Sequence, residues 1–408
     1  MFQDALILTK AGFYTNASDP SLPIPLVLGD MTENTDAAAW VCPNLNTNVY
    51  AVAGWGLQTA ANGNSITVYD DDGVVAGGEY TWTESGVYGG TGDTISYLTF
   101  SVAPTGTVTC KCKGKANSSG TLITNPLDCL EAILDYAEEH LTGFSYTQDA
   151  TSWGNATLAA SDNSYTCAGV VLSDNTPAYW CTNLLASFLG DWWLGNDGNL
   201  HVFLDTASLN TWNVVGHLNE REATAITGKQ DKKNFCNQVQ VNYALAFTDI
   251  DKRFKNNVGN SNYYRTDNGS GSADSTSQGK YGVRLHEMNF DWTRNTATVN
   301  AVQSRIVARF KDPVWLLDWK AQDFLNCHLE KGDFVTYNWE ERKDENGLPV
   351  RNQIAQILSK NINMDAWNIG FTLRDTGVYR PAEPDFWNGT STVGDGGTYG
   401  GDRDRRLY

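Results

Sequence analysis

Short segments rich in aromatic residues and Thr alternate with Gly- and Asp-rich turns along most of the chain. Segments 48–53 and 80–83 have the pattern of strands, and residues 70–73 have the Asp and Gly content of a hairpin turn, which needs positive φ angles. The sequence holds 38 Gly and 14 Trp, and 12% of it is aromatic. Because Trp, Tyr and Thr favour strands, the pattern predicts a mainly β protein with a smaller α/β insert.

The predicted insert occupies residues 116–225, where the periodicity changes. Asn125 is a candidate helix N-cap, and Pro126 would take the first helical position. Apolar residues then recur at helical spacing. A second helix is predicted over about 177–189, and a hairpin with an Asn-Asp-Gly turn is predicted over 192–204.

The remaining sequence divides into two β domains and a tail. The first β domain is 1–115, and the second is 226–378 after the insert at 116–225. Within the second domain, residues 256–279 are rich in Gly, Ser and Asn, which predicts a long loop. Residues 379–408 have few apolar anchors, so we expect an extended tail that orders only against a partner chain.

The charge balance argues against nucleic-acid binding. There are 29 Lys and Arg residues against 47 Asp and Glu residues, a net charge of −18. A general nucleic-acid binder needs a basic face that displaces phosphate counterions. We also expect no membrane span, because the sequence has no apolar run of 18 residues. The first residues lack the basic region of a secretory signal.

The eight cysteines do not have the spacing of a disulfide scaffold, as expected for synthesis in a reducing compartment. Cys110 and Cys112 are predicted to share one face of a strand. Cys129 and Cys181 fall on apolar helix stripes, where Cys packs as a small hydrophobe. A metal or iron–sulfur cluster would need about four converging thiolates. Cys110, Cys112 and Cys167 would contribute to such a cluster, but the spacing predicts no cofactor.

Motifs of common enzyme classes are missing from the sequence. It has no G-x-S-x-G, no H-E-x-x-H, no P-loop and no G-x-G-x-x-G. Cys327 and His328 are adjacent, but on a strand they would point to opposite sides. The acidic runs at 70–72 and 340–341 have the composition of solvated turns, although glycosidases also use two carboxyl groups. We therefore predict a protein without enzyme activity.

The tryptophans leave an alternative open. Most are expected in the core or at subunit interfaces, where Trp is enriched. A row of exposed indole rings in one groove would instead indicate a carbohydrate-binding or glycan-degrading β-protein. The residues concerned are Trp192, Trp193, Trp315, Trp319, Trp339, Trp367 and Trp387.

Three stretches of sequence within residues 20–375 occur in an order that indicates a protein family. The first is PIPLVLGD at 23–30, and the second is the helix start with the N-P-x-D pattern within 120–134. The third combines YGVR at 281–284 with LEKGDFV at 329–335. Together they resemble tail-tip hub and baseplate structural proteins of long-tailed bacteriophages and phage-like gene-transfer particles.

The resemblance implies a multidomain hub with tail-tube-like β-barrel domains that closes the tail tube and anchors fibres. Implied partners are copies of itself in a ring (a homotrimer favoured over a hexamer), distal tail or tube proteins, the tape-measure protein, and tail fibres or receptor-binding proteins. The implied location is the virion tail tip after assembly in the host cytoplasm, with roles in host attachment and genome ejection. A central hub and a neighbouring baseplate protein fit equally. Candidate interface residues are Asn256, Gly279, Trp387, Tyr399, Arg405 and Tyr408.

Overall fold

A computed structural model describes the chain in twelve segments. They are residues 24–33, 39–71, 73–88, 93–172, 175–205, 214–231, 235–247, 263–267, 271–321, 326–343, 347–365 and 367–379. Strands make up 43% of the structure and helices 22%, which confirms the mainly β prediction.

The chain forms two compact units, and each is built from two separate segments. Unit 1 comprises Met1–Thr206 and Cys236–Lys311, and unit 2 comprises Ala207–Phe235 and Asp312–Tyr408. Each unit has a hydrophobic core of its own. These limits differ from the predicted boundaries at 115, 225 and 378, and that finer division remains a prediction.

Unit 1 begins with small antiparallel sheets. Their strand orders are β2-β9-β5-β6 and β3-β4-β8-β7, and a separate pair joins β1 to β10. The strands are β1 (Leu26–Leu28), β2 (Trp40–Val41), β3 (Asn44–Asn46), β4 (Val49–Ala53), β5 (Thr67–Asp70), β6 (Gly73–Val74), β7 (Tyr80–Val87), β8 (Thr94–Phe100), β9 (Val108–Lys111) and β10 (Gly169–Val171).

Local turn chemistry in these sheets agrees with the sequence. Asp71 has a φ of 50°, in the left-handed region that Asp tolerates, and Asp70 pairs with Gly73 across the predicted hairpin turn. Gly29 ends β1 with a φ of 68°. A Cβ atom there would lie 1.9 Å from the carbonyl oxygen of Cys167, so only glycine fits this position.

Three helices and a hairpin follow in unit 1. The predicted helix is α1 (Pro126–His140), and Asn125 caps it by accepting a hydrogen bond from Leu127 N at 2.9 Å. The helix α2 (Ala150–Asp162) was not predicted. The predicted second helix is α3 (Pro177–Ala186), and β11 (Gly190–Leu194) with β12 (Leu200–Leu204) confirms the hairpin.

The last part of unit 1 corrects the predicted loop at 256–279. Its described residues include the strand β16 (Tyr263–Asp267) and most of the helix α4 (Ser275–Tyr281). The polar composition of this segment is compatible with regular secondary structure, because the backbone of β16 pairs with β15 and Asp274 caps α4. The strand order is β16-β15-β17, with β15 (Gln238–Leu245) and β17 (Leu285–Phe290), and the helix α5 (Thr296–Phe310) follows.

Unit 2 is a six-stranded sheet with the order β13-β19-β20-β21-β18-β14. The strands are β13 (Val214–Leu218), β14 (Ala223–Gln230), β18 (Trp315–Ala321), β19 (Phe334–Lys343), β20 (Pro349–Asn363) and β21 (Asn368–Tyr379). A Cβ atom at Gly228 of β14 would lie 2.7 Å from the Trp339 ring of β19, so the sheet curls upon itself. Pairing between β13 and β14 is not found among the described residues, and a closed tail-tube-like barrel therefore remains a prediction.

None of the described helices is both long enough and apolar enough to cross a bilayer.

Candidate functional site

The predicted interface residues lie mostly outside the part of the chain that the structure describes. Gly279 lies on the exposed side of α4, and a Cβ atom there would meet no atom within 4 Å. Its role in subunit contacts remains a prediction. The residues outside the described segments are Asn256, Trp387, Tyr399, Arg405 and Tyr408.

The cysteines of the candidate cluster are buried, and two of them, Cys110 and Cys167, each lie beside another cysteine. Cys110 has Cys42 as its neighbour, with 3.2 Å between the two Sγ atoms, and both side chains are in the core of unit 1. Burial raises the pKa of Cys110 and that of Cys112 well above the ordinary value for a thiol. Burial, together with the neighbouring Cys167 thiol, does the same to the pKa of Cys129.

This pairing does not match a three-thiol metal site. Among the described residues, two groups of three ligand atoms lie within 4.8 Å of one another, and neither contains a cysteine. Cys110, Cys112 and Cys167 are therefore not brought together as a cluster. The contact with Cys42, 68 positions from Cys110, was not predicted from the sequence.

The first of the two groups is a histidine held between two carboxylates. His201 lies on β12, and its Nδ1 is 3.6 Å from Asp149 Oδ1, while its Nε2 is 3.2 Å from Asp197 Oδ1. Asp149 caps α2 by accepting a hydrogen bond from Ser152 N at 2.7 Å. The hydrogen bond from Asn199 N, and then the His201 ring, lower the pKa of Asp197.

The arrangement favours a structural role for His201 over a catalytic one. Each ring nitrogen of His201 faces a different carboxylate of the same unit, and the ring stacks on Trp193 with 5.5 Å between centroids. A general acid or base needs a nitrogen within hydrogen-bond reach of a substrate. His201 instead ties the β11–β12 hairpin to the start of α2.

The second group lies at the end of α1. It consists of Asp93, Glu139 and His140. The Nδ1 of His140 is 2.9 Å from the carbonyl oxygen of Tyr136, and since a carbonyl only accepts, Nδ1 donates. The rings of Tyr136 and His140 stack with 3.9 Å between their centroids. The donor set suits a divalent cation.

Lys115 lies near this second group and is partly desolvated. Its Nζ is 4.6 Å from the centre of the Trp55 ring, a cation–π distance. Burial lowers the pKa of Lys115, and the carboxylates of Asp135 and Glu139 oppose that shift. Sequence reasoning missed this group, because its members come from positions 55, 93, 115 and the end of α1.

Unit 2 contains a buried polar network on the sheet. Asp375 accepts hydrogen bonds from Tyr337 Oη at 3.0 Å and from Gln353 Nε2 at 2.9 Å, and its Oδ2 is 2.7 Å from Arg342 Nη1. The guanidinium group also lies 4.6 Å from the centre of the Trp315 ring. All of these groups belong to one sheet, so the network stabilises unit 2 rather than receiving a ligand.

The positions of the tryptophans weigh against the carbohydrate alternative. Trp319 is buried, Trp315 and Trp339 pack against the core of unit 2, and Trp192 packs against the core of unit 1. Trp367 is 66% exposed. A row of exposed indole rings is not found in the described segments, and Trp387 lies outside them.

The tip of the β20–β21 hairpin is apolar and exposed. Ile362, Met364 and Trp367 are 37%, 67% and 66% exposed. Trp367 has a φ of 48°, a conformation that bulky residues seldom adopt and that surrounding structure must enforce. Such a surface on a projecting turn is typical of protein contact sites.

Comparison with solved structures shows what the fold resembles. A chain of the virion of a native gene transfer agent (GTA) particle matches with a TM-score of 0.50 and 11% identity, over 91% of this chain and 88% of that one. The tail protein of Neisseria meningitidis MC58 has 12% identity and a TM-score of 0.34, over 84% of this chain and 96% of its own. The 43 kDa tail protein of prophage MuSo2 from Shewanella oneidensis has 8% identity and the same TM-score, over 86% and 93%.

The match to the GTA virion chain confirms the sequence resemblance at the level of the fold. The GTA virion chain shares its fold with nearly the whole of this chain, whereas a TM-score of 0.34 does not establish a shared fold. No protein-family model and no curated protein matches the sequence.

Proposed function

We propose that the chain is a structural protein of a phage or phage-like virion. In this proposal it forms a hub ring at the tail tip, closes the tail tube and anchors fibre or receptor-binding proteins, without enzyme activity. The observation that carries the proposal is the fold shared with a GTA virion chain over 91% of this chain and 88% of that one. The ordered motifs at 23–30, 120–134 and 329–335 support the more specific hub assignment.

The described side chains are consistent with a structural role. His201 and Arg342 are chemically capable groups, but both are engaged by carboxylates of their own unit. The network around Asp375 is buried within a sheet, where it stiffens the sheet and is not accessible to a substrate. These features stabilise subunits, and they offer no substrate-binding site of their own.

The charge of the chain suits a channel for DNA. A net charge of −18 gives the protein a negative field. If the ring surrounds the passage, this field repels phosphates, so that DNA moves through without adhering. We therefore propose that the protein contacts the tape-measure protein and neighbouring tail proteins, and that it has no specific nucleic-acid site.

A ring would also use the two edges that the described part of the unit 2 sheet has. β13 and β14 are the two terminal strands, and terminal strands carry backbone groups that can pair with another chain. In a closed ring every copy contacts the next through the same pair of surfaces. Opening after receptor contact would require two states of the ring that differ in these contacts.

Immunogold electron microscopy tests the location. Antibody raised against the chain is applied to particles from the source culture, with antibody depleted on the purified protein as the control. We expect gold at one end of the tail. Label along the whole tail, on the capsid, or on no particle would contradict the tail-tip proposal.

A truncation tests assembly separately. Removing residues 381–408 should leave a folded protomer, because the described core of each unit lies before residue 380. We expect the truncated chain to melt as the full chain does but to be depleted from particles. Normal incorporation would show that the tail is not an inter-subunit contact.

A further inference from the structure

We infer that Cys42 and Cys110 form a site of reversible oxidation, closing to an intramolecular disulfide when unit 1 meets a small-molecule disulfide. The inference does not depend on the proposed function. It rests on the contact between the two thiols and on the strand that carries Cys42.

The two sulfur atoms are already in contact. Their separation is 3.2 Å, and a disulfide bond is about 2.05 Å long. The two cysteines are diagonal neighbours, since Trp40 pairs with Cys110 and Cys42 N donates to Val108 O at 2.9 Å. Closing the remaining gap of about 1 Å requires rotation of both side chains and, because the pair is diagonal, a shift of the short strand β2.

Both thiols are buried, and they differ in how readily local opening of the structure exposes them. Cys110 is fully buried on β9, and burial together with the Cys42 and Cys112 thiols raises its pKa. Cys42 follows β2, a strand of two residues at the edge of its sheet. Short edge strands open at low free-energy cost, so Cys42 is the thiol that an external reagent meets first.

The chemistry proceeds by two thiol–disulfide exchanges. The Cys42 thiolate attacks one sulfur of the reagent, which forms a mixed disulfide and releases one small thiol. The Cys110 sulfur then attacks the Cys42 sulfur, the bond to the reagent breaks, and the Cys110 proton passes to the departing thiolate. Two protein thiols are oxidised, and one small disulfide is reduced to two thiols.

The consequence is a covalent tie between β2 and β9. It joins residues 68 positions apart, which restricts the unfolded chain strongly. A reducing compartment keeps the pair as thiols, and an oxidising medium favours the disulfide. The protein would therefore become more resistant to unfolding after it leaves the reducing compartment.

The test uses the full chain carrying Cys327→Ser, which removes the exposed cysteine of the described segments. The reduced protein is incubated with glutathione disulfide, remaining thiols are alkylated, and unreduced peptides are mapped by mass spectrometry. We expect a linked Cys42–Cys110 peptide and a fall from seven to five free thiols, eight cysteines less the one replaced. The unfolding midpoint should rise by about 5 °C.

Three variants make the result specific. Cys42→Ala should abolish the link, and Cys110→Ala serves the same purpose if the first variant does not fold. Cys181→Ala is the matched control, since Cys181 is equally buried and should leave the link intact. Full alkylation of Cys42 and Cys110 after incubation, or a link from either residue to another cysteine, would overturn the inference.

Discussion

Replacing Asp375 with Asn should destabilise unit 2 strongly. The substitution keeps the size of the side chain but removes the charge that faces Arg342 at 2.7 Å. The two side chains are 4% and 13% exposed, so little water is available to solvate the guanidinium that is left behind. Breaking one partner of a buried ion pair costs roughly 3–5 kcal/mol.

Two contacts reduce that cost. The Trp315 ring retains a cation–π attraction for Arg342, worth about 0.5–2 kcal/mol. The Asn oxygen can still accept one hydrogen bond from Tyr337 or Gln353. We therefore expect a loss of about 3 kcal/mol for Asp375→Asn, at the lower end of the range for a broken buried pair.

The assay must distinguish unit 2 from unit 1. Urea unfolding followed by hydrogen exchange and mass spectrometry of β20 and β21 peptides reports the free energy of unfolding of unit 2. Asp318→Asn is the matched control, because Asp318 is exposed on β18 of the same sheet and should change stability by less than about 0.5 kcal/mol. The double variant with Arg342→Met should lose less than the sum of the single changes. Equal effects of Asp375→Asn and Asp318→Asn would refute the reasoning.

Three further predictions follow from local contacts. Asn125→Ala should destabilise α1 by about 1 kcal/mol in circular-dichroism melts, whereas Asn125→Asp, which keeps the cap to Leu127 N, should lose less. The hydrogen bond from Lys311 lowers the pKa of Asp274 below 3.8. The ionised Asp274 therefore contributes stability above that pH, and this stability is lost as the pH falls through the lowered pKa. Asp274→Asn should flatten the acid limb of a plot of melting temperature against pH. Trp367→Ala should weaken self-association measured by mass photometry, because the residue is 66% exposed at the tip of the β20–β21 hairpin; unchanged self-association would contradict this.

Elements with local signals were predictable from the sequence. α1 was found because Asn125 and Pro126 mark its start and its apolar stripe has helical spacing. The hairpin of β11 and β12 was found because its turn chemistry is local. In contrast, α2 was missed because its sequence contains Thr, Asn and Gly, and the helix depends on the Asp149 cap and on the packing of Trp153.

Contacts between distant segments were not predictable. β1 pairs with β10, which places Leu26 opposite Val171, and neither strand carries a mark of its partner. Side-chain contacts between distant residues were equally unpredictable. His201 and Asp149 are 52 positions apart in the sequence, and neither carries a local pattern that points to the other. Only the fold brings them together. Cys110 was singled out only as a candidate metal ligand, and its contact with Cys42 was not predicted.

The order of the strands in unit 2 has a consequence for how the chain folds. Its outer strands β13 and β14 come from the segment Ala207–Phe235, whereas the four inner strands come from Asp312–Tyr408. Between the two, the chain completes unit 1 with Cys236–Lys311. During synthesis, β13 and β14 therefore wait without partners until β18 to β21 emerge, and unpaired strands of this kind are prone to wrong pairing.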